Sequence, residues 1–124
     1  MGYFSFEKLE VYQKSLDFID FVYTIINKFP SEEKYNLSSQ LRRASTSVSL
    51  NIGEGSGKTN KDFNRYIGIS KGSARECLVC FDIAIRRKYI SEEDYWTGRK
   101  YIEELIKMMT GLSTFLMKTI ENSR

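Results

Sequence analysis

Two stretches of this chain carry residue types that perform chemistry in other settings. Gly53-Glu54-Gly55-Ser56-Gly57-Lys58-Thr59 imitates a phosphate-binding loop. Its end, Gly57-Lys58-Thr59, fits, but the first glycine of such a loop falls on Ile52. The loop must also follow a strand and open a helix of a parallel sheet, whereas the residues before this one have helical spacing. The alternating glycines fail as a dinucleotide fingerprint for the same reason. Helix stop and turn is the better account. Free amides at the start of the next helix, beside Lys58 and Lys61, still suit a phosphate of a nucleic acid backbone.

The second stretch is Cys77-Leu78-Val79-Cys80. A redox C-x-x-C sits at a helix start after a strand, and this one falls in mid-helix between Ala74 and Phe81. Zinc needs four ligands, and the chain has no other cysteine and no histidine. The pair reads as small buried hydrophobes. Lack of histidine also removes the commonest general base and metal ligand. The acidic pairs Glu32/Glu33, Glu92/Glu93 and Glu103/Glu104 are adjacent, so their side chains diverge. No catalytic constellation or cofactor site emerges, and a non-enzymatic protein without cofactor or metal is expected.

The basic residues are the signal that survives. Residues 1–33 carry a net charge of −3, residues 34–88 of +7 and residues 89–124 of −1. Arg42, Lys58, Lys61, Arg65, Lys71, Arg75 and the run Arg86-Arg87-Lys88 all fall in the basic segment. Such a surface attracts phosphates without reading sequence, so RNA or DNA is the expected partner. Tyr35, Tyr66 and Tyr89 are candidates for base stacking.

Four helices must position these residues. Leu9, Tyr12, Leu16, Ile19, Tyr23 and Ile26 place one seam on a first helix over about Glu7 to Lys28, and Val11, Phe18, Val22, Ile25 and Phe29 place a second. Two seams imply burial on two sides. The second seam, with Tyr3, Phe4 and Phe6, is expected to serve a subunit interface. Pro30 ends the helix, and Ser31-Glu32-Glu33 reads as a capped short turn. Helix two spans about Leu37 to Gly55. Its inner stripe is Leu37, Leu41, Ala44, Val48 and Ile52, with Ser39, Arg42, Thr46 and Ser49 opposite. Gly53, Gly55 and Gly57 are expected to close it through left-handed glycine. Helix three spans about Lys61 to Lys88, capped by Thr59 or Asn60. Its seam is Phe63, Ile67, Ser70, Ala74, Cys77, Phe81 and Ala84, and Gly68 with Gly72 implies a close backbone contact. Ser91 and Asp94 resemble a capping box for helix four, which runs to about Glu121 on Ile102, Leu105, Met109, Leu112 and Leu116. Four helices with short connections predict an all-α, antiparallel up-and-down four-helix bundle.

The 124 residues suit one domain spanning the whole chain, 1–124. No apolar run approaches the ~20 residues of a membrane span. The start lacks a cationic segment followed by an apolar core, so a cytoplasmic protein is expected. In a hairpin turning near Lys58, Arg43 stands level with Ser73 and Glu76, and Asn51 and Glu54 level with Arg65. Glu54 and Glu76 are therefore expected to be partly buried against arginine, and Glu54→Gln to lower the melting temperature.

Asn51-Ile52-Gly53-Glu54-Gly55, preceded by Gln40-Leu41-Arg42-Arg43-Ala44-Ser45 and followed by Gly72-Ser73-Ala74-Arg75-Glu76, resembles the bacterial four-helix bundle proteins encoded in intervening sequences of 23S ribosomal RNA genes. Phe6-Glu7-Lys8-Leu9 and Lys88-Tyr89-Ile90-Ser91 fit as well. Gly53 stands where that family usually has alanine, and Lys58 where arginine is common. The resemblance implies assembly into a barrel-like homopentamer and makes nucleic acid a natural partner. It extends to the accessory protein of diversity-generating retroelements, which implies a protein–protein adaptor as the alternative, docking a partner such as a reverse transcriptase.

Overall fold

The computed structural model describes residues 4–123. Four helices follow one another: α1 (Glu10–Ile26), α2 (Leu37–Ser56), α3 (Asn60–Arg86) and α4 (Glu92–Asn122). They form a ring in which α1 and α3 each pack against both α2 and α4. Short connections make neighbours antiparallel. Among the described residues no helix is long and apolar enough to cross a membrane.

The inner stripes form the core as their spacing requires. Leu37, Leu41, Ala44, Val48 and Ile52 of α2 are buried, and so is the whole predicted seam of α3 from Phe63 to Ala84. Ile102, Leu105, Met109 and Leu116 complete it from α4, with Leu112 partly covered. Cys77 and Cys80 are free thiols inside this core. Burial pushes the Cys77 thiol far up and that of Cys80 to about 11, so neither is a thiolate near neutral pH.

The first helix corrects two expectations. Leu9 is extended, with φ −72° and ψ 125°, so the predicted helix is split into a 3-10 turn at Ser5–Lys8 and α1 proper. The second seam, expected at a subunit interface, is instead the chain's own core: Val11, Phe18, Val22, Ile25 and Phe29 are buried. Leu16 and Tyr23 of the first seam are the exposed ones. Phe6 lies over Gly53, 3.7 Å from where a Cβ would stand, while Tyr3 falls outside the described residues.

The helix ends follow local rules. Thr59 caps α3 by accepting from the Asp62 amide at 3.2 Å, and Ser91 caps α4 by accepting from the Asp94 amide at 3.1 Å. The turn at Ser31–Glu33 forms without a side-chain cap. The end of α2 departs from expectation, because no described glycine has positive φ. The helix runs through Gly53 and Gly55 to Ser56 and stops at Gly57, with φ −85°. Gly55 is required by space. A Cβ there would stand 2.6 Å from the Cβ of Tyr66 and 2.9 Å from the Phe63 ring. Gly68 and Gly72, expected at a close contact, have nothing within 4 Å of an added Cβ, because both lie on the outer face of α3.

Phe81 ties the diagonal of the ring. Its side chain is fully buried and its ring centroid lies 6.4 Å from that of Phe18 and 6.3 Å from that of Phe21 on α1. Gly98 of α4 makes room for it: a Cβ there would sit 2.7 Å from two carbons of the ring. Gly98→Ala gains about 1 kcal/mol of helix propensity but overpacks a ring with nowhere to go, at a cost of about 1–3 kcal/mol. A fall in melting temperature is expected. Gly111→Ala, in open space on the same helix, should raise it, and thermal unfolding of the two variants checks the pair.

Candidate nucleic-acid interface

α3 carries most of the basic residues, and its length separates them. From Lys61 to Arg86 the axis rises about 37 Å. Lys58, Lys61 and Arg65 stand at the α2–α3 turn, Lys71 and Arg75 in the middle, and Arg86, Arg87 and Lys88 at the far end. At about 100° per residue, Lys61, Arg65, Arg75 and Arg86 fall within roughly 80° of one another. All four are exposed, opposite the seam from Phe63 to Ala84. Arg43 of α2 is exposed as well and shares a groove with Ser47, Ser73, Glu76 and Cys80.

Two of the predicted residues lie elsewhere. Arg42 is half-buried on the flank of α2 that turns towards α1, where Ser49 meets Ser15 at 2.7 Å. Ser49 itself is buried rather than on a polar outer face. Lys71 is half-buried on the opposite flank, the side from which Asn64 reaches Ser113 of α4 at 2.6 Å. These two cations therefore do not share the outer face of α3.

Local partners restrain the cations at the turn. Lys58 lies 3.5 Å from the Glu54 carboxylate. Arg65 lies 4.0 Å from Asp62 and its guanidinium is 4.8 Å from the Tyr66 ring centroid. The expected hairpin register holds: the Ser70 hydroxyl donates to the Val48 carbonyl at 2.8 Å, and Ser73 donates to Ser47 at 3.0 Å. The expected burial of the two glutamates does not. Glu54 keeps 61% of its side chain exposed and pairs with Lys58, not Arg65. Glu76 is exposed, although it stands level with Arg43 as expected. Asn51 donates back to Ser47 of its own helix. Equal distance from the turn fixes height along the hairpin, not the direction in which a side chain leaves it.

The three tyrosines also divide. The hydroxyl of Tyr89 donates to Glu33 at 2.8 Å and its ring lies 5.7 Å from Phe29, so it is structural. That hydrogen bond, more than the Leu37 amide, holds the Glu33 carboxyl below the usual carboxylate range. The Tyr89 hydroxyl also faces Arg87 and raises the pKa of its guanidinium. Tyr66 is half-buried against Gly55. Tyr35 is 87% exposed, with Lys34 over its ring.

Lys88 adopts φ 65°, closing α3 with the Tyr89 amide on the Ala84 carbonyl and the Lys88 amide on the Ile85 carbonyl. A non-glycine residue in this conformation costs about 1 kcal/mol. Arg43, expected only as a partner of Glu76, and Lys34 and Trp96 fall outside the candidate set drawn from the sequence. The signal for Trp96 was its place off the Ile102/Leu105/Met109 stripe, which leaves the ring outside. Among the described residues no group of three metal-ligating side chains comes together.

A family model described as 23S rRNA-intervening sequence protein matches residues 7–111. The chain belongs to that family. The 23S rRNA-intervening sequence fold also recurs in a crystal structure from Bacteroides thetaiotaomicron, a protein of unknown function from the S23 ribosomal protein family. It is 27% identical, with a TM-score of 0.77, over 83% of this chain and 97% of that one. No curated protein sequence matches. The geometry reverses the expectation for Glu54. Glu54→Gln breaks only an exposed i,i+4 pair, worth a few tenths of a kcal/mol at about the level of measurement. Its melting temperature should match that of the wild type in a thermal unfolding scan.

Proposed function

We propose that this chain is a non-enzymatic, homo-oligomeric nucleic-acid-binding protein that holds backbone phosphates along the outer face of α3. The observation that carries the reading is the set Lys61, Arg65, Arg75 and Arg86, exposed on one helical face with Arg43 of α2 alongside. Core packing does not need these cations, since the opposite face of α3 supplies the whole buried seam. Phosphate contacts of this kind give affinity with little sequence preference. The exposed Leu16 and Tyr23 of α1 support self-association, because burying them against another copy removes apolar surface from water.

A second reading rests on a specific feature. Leu50, Ile69, Val79 and Ile83 are exposed on α2 and α3 among the same cations. Apolar groups of this size favour a protein partner, so an adaptor role is the alternative.

Anisotropy of a labelled RNA and a matched DNA, titrated over salt, separates the two. Nucleic acid binding predicts an affinity that falls steeply with log salt, with a slope that shrinks by about 0.7–0.9 for every phosphate no longer neutralised. Lys61→Glu with Arg65→Glu should weaken binding and flatten the slope. No binding at low salt would remove this reading and leave the adaptor. Light scattering at micromolar concentration should give a mass several times that of the chain, and a monodisperse monomer would overturn the assembly claim.

A further inference from the structure

At the end of the bundle where the α1–α2 and α3–α4 connections meet, two aromatic rings stay outside the core, each with a cation over its face. Tyr35 has Lys34 Nζ 5.3 Å from its ring centroid. Trp96, 60% exposed, has the Arg99 guanidinium at 5.6 Å and the edge of Tyr95 at 5.3 Å. Rings of this size usually dominate burial, yet these contribute little to it.

Rigid elements present them. The Tyr89–Glu33 hydrogen bond joins the two connections. Lys28 of the α1–α2 connection meets Asp94 of α4 at 2.6 Å, and the Tyr95 hydroxyl donates to Asp82 of α3 at 2.6 Å. Arg99 is itself fixed, donating to Tyr95 at 2.9 Å and to Glu103 at 3.2 Å. Arg86, Arg87 and Lys88 end α3 at this same end. Pre-ordered platforms lose little entropy when a ligand settles on them.

We propose that this end takes single-stranded nucleic acid, with unpaired bases stacked on Tyr35 and Trp96 and phosphates held by Arg86, Arg87 and Lys88. The inference rests on the nucleic-acid reading above and deepens it. A duplex keeps its base faces stacked inside, so only unpaired bases offer a face to an exposed ring. The charge balance points the same way. Glu92 and Glu93 stand in the first turn of α4 close to Trp96 in sequence, which weakens phosphate attraction at the Trp96 ring relative to Arg86, Arg87 and Lys88. Stacking, which every base can supply, is then what distinguishes this end.

Trp96 is the only tryptophan, so its emission reports directly on the platform. The full chain is titrated with a short single-stranded oligonucleotide and with an abasic strand carrying the same number of phosphates. With a base on each ring, the base-bearing strand should bind at least about 30-fold more tightly and quench Trp96, while the abasic strand leaves the emission unchanged. Tyr35→Ala with Trp96→Ala should erase that preference and retain affinity for the abasic strand, and Tyr35→Phe should keep it. Lys61→Glu should weaken both strands alike. Equal affinity for the two strands, or a preference that survives the double substitution, overturns the stacking site and leaves phosphate binding on α3 standing. Failure of both strands to bind at low salt overturns both readings.

Discussion

The close approach of α2 and α3 is the constraint on which the rest depends. The two helices meet through small groups. Gly55 lets the Tyr66 side chain cross the space a Cβ would fill. Ser70 donates to a carbonyl of the neighbouring helix, and Ser47 and Ser73 bond to each other. Serine is a poor helix former because its hydroxyl competes for backbone groups. Here those hydroxyls find partners in place of water. α2, rich in serine, is therefore a helix by virtue of its neighbours more than its propensity.

That approach decides where charge can go. With the inner seam of α3 committed to the core and its flanks to α2 and α4, Lys61, Arg65, Arg75 and Arg86 are left with the outer face. Phe81 works in the same sense from within. By reaching across to Phe18 and Phe21 it ties α3 to α1, which the ring arrangement otherwise keeps apart. Gly98 is the vacancy that makes this reach possible. The outer surface of α3 is thus free of structural duty over its length, and function can be loaded onto it without disturbing the fold.

Much of this was legible in the sequence, for a physical reason. Apolar spacing records which side of a helix leaves water, so the stripes of α2, α3 and α4 placed their core residues correctly. α1 was ambiguous because both its seams are apolar, and nothing within that helix tells which one meets the others. The hairpin register was legible from distance to the turn, but rotation about each helix was not, so Glu54 was set against Arg65 when it turns to Lys58. The glycines show the same limit. Gly55 and Gly98 are demanded by a ring or side chain distant in sequence, while Gly68 and Gly72 face open space. Among the candidate site residues, charge could be counted, but the placing of Arg42 and Lys71 on opposite flanks required the packed bundle.

The two buried thiols carry a consequence of their own. Cys77 sits fully buried on the inner seam, where burial raises its pKa, whereas Cys80 borders the groove beside Arg43, so Cys77 is the thiol that the closed bundle shields from reagents. Modification of Cys77 requires α3 to swing away from its seat. The rate of Cys77 alkylation then measures how often the bundle opens and how far that opening lies above the native state. α3 thus carries its own clock for local unfolding, readable without any added probe.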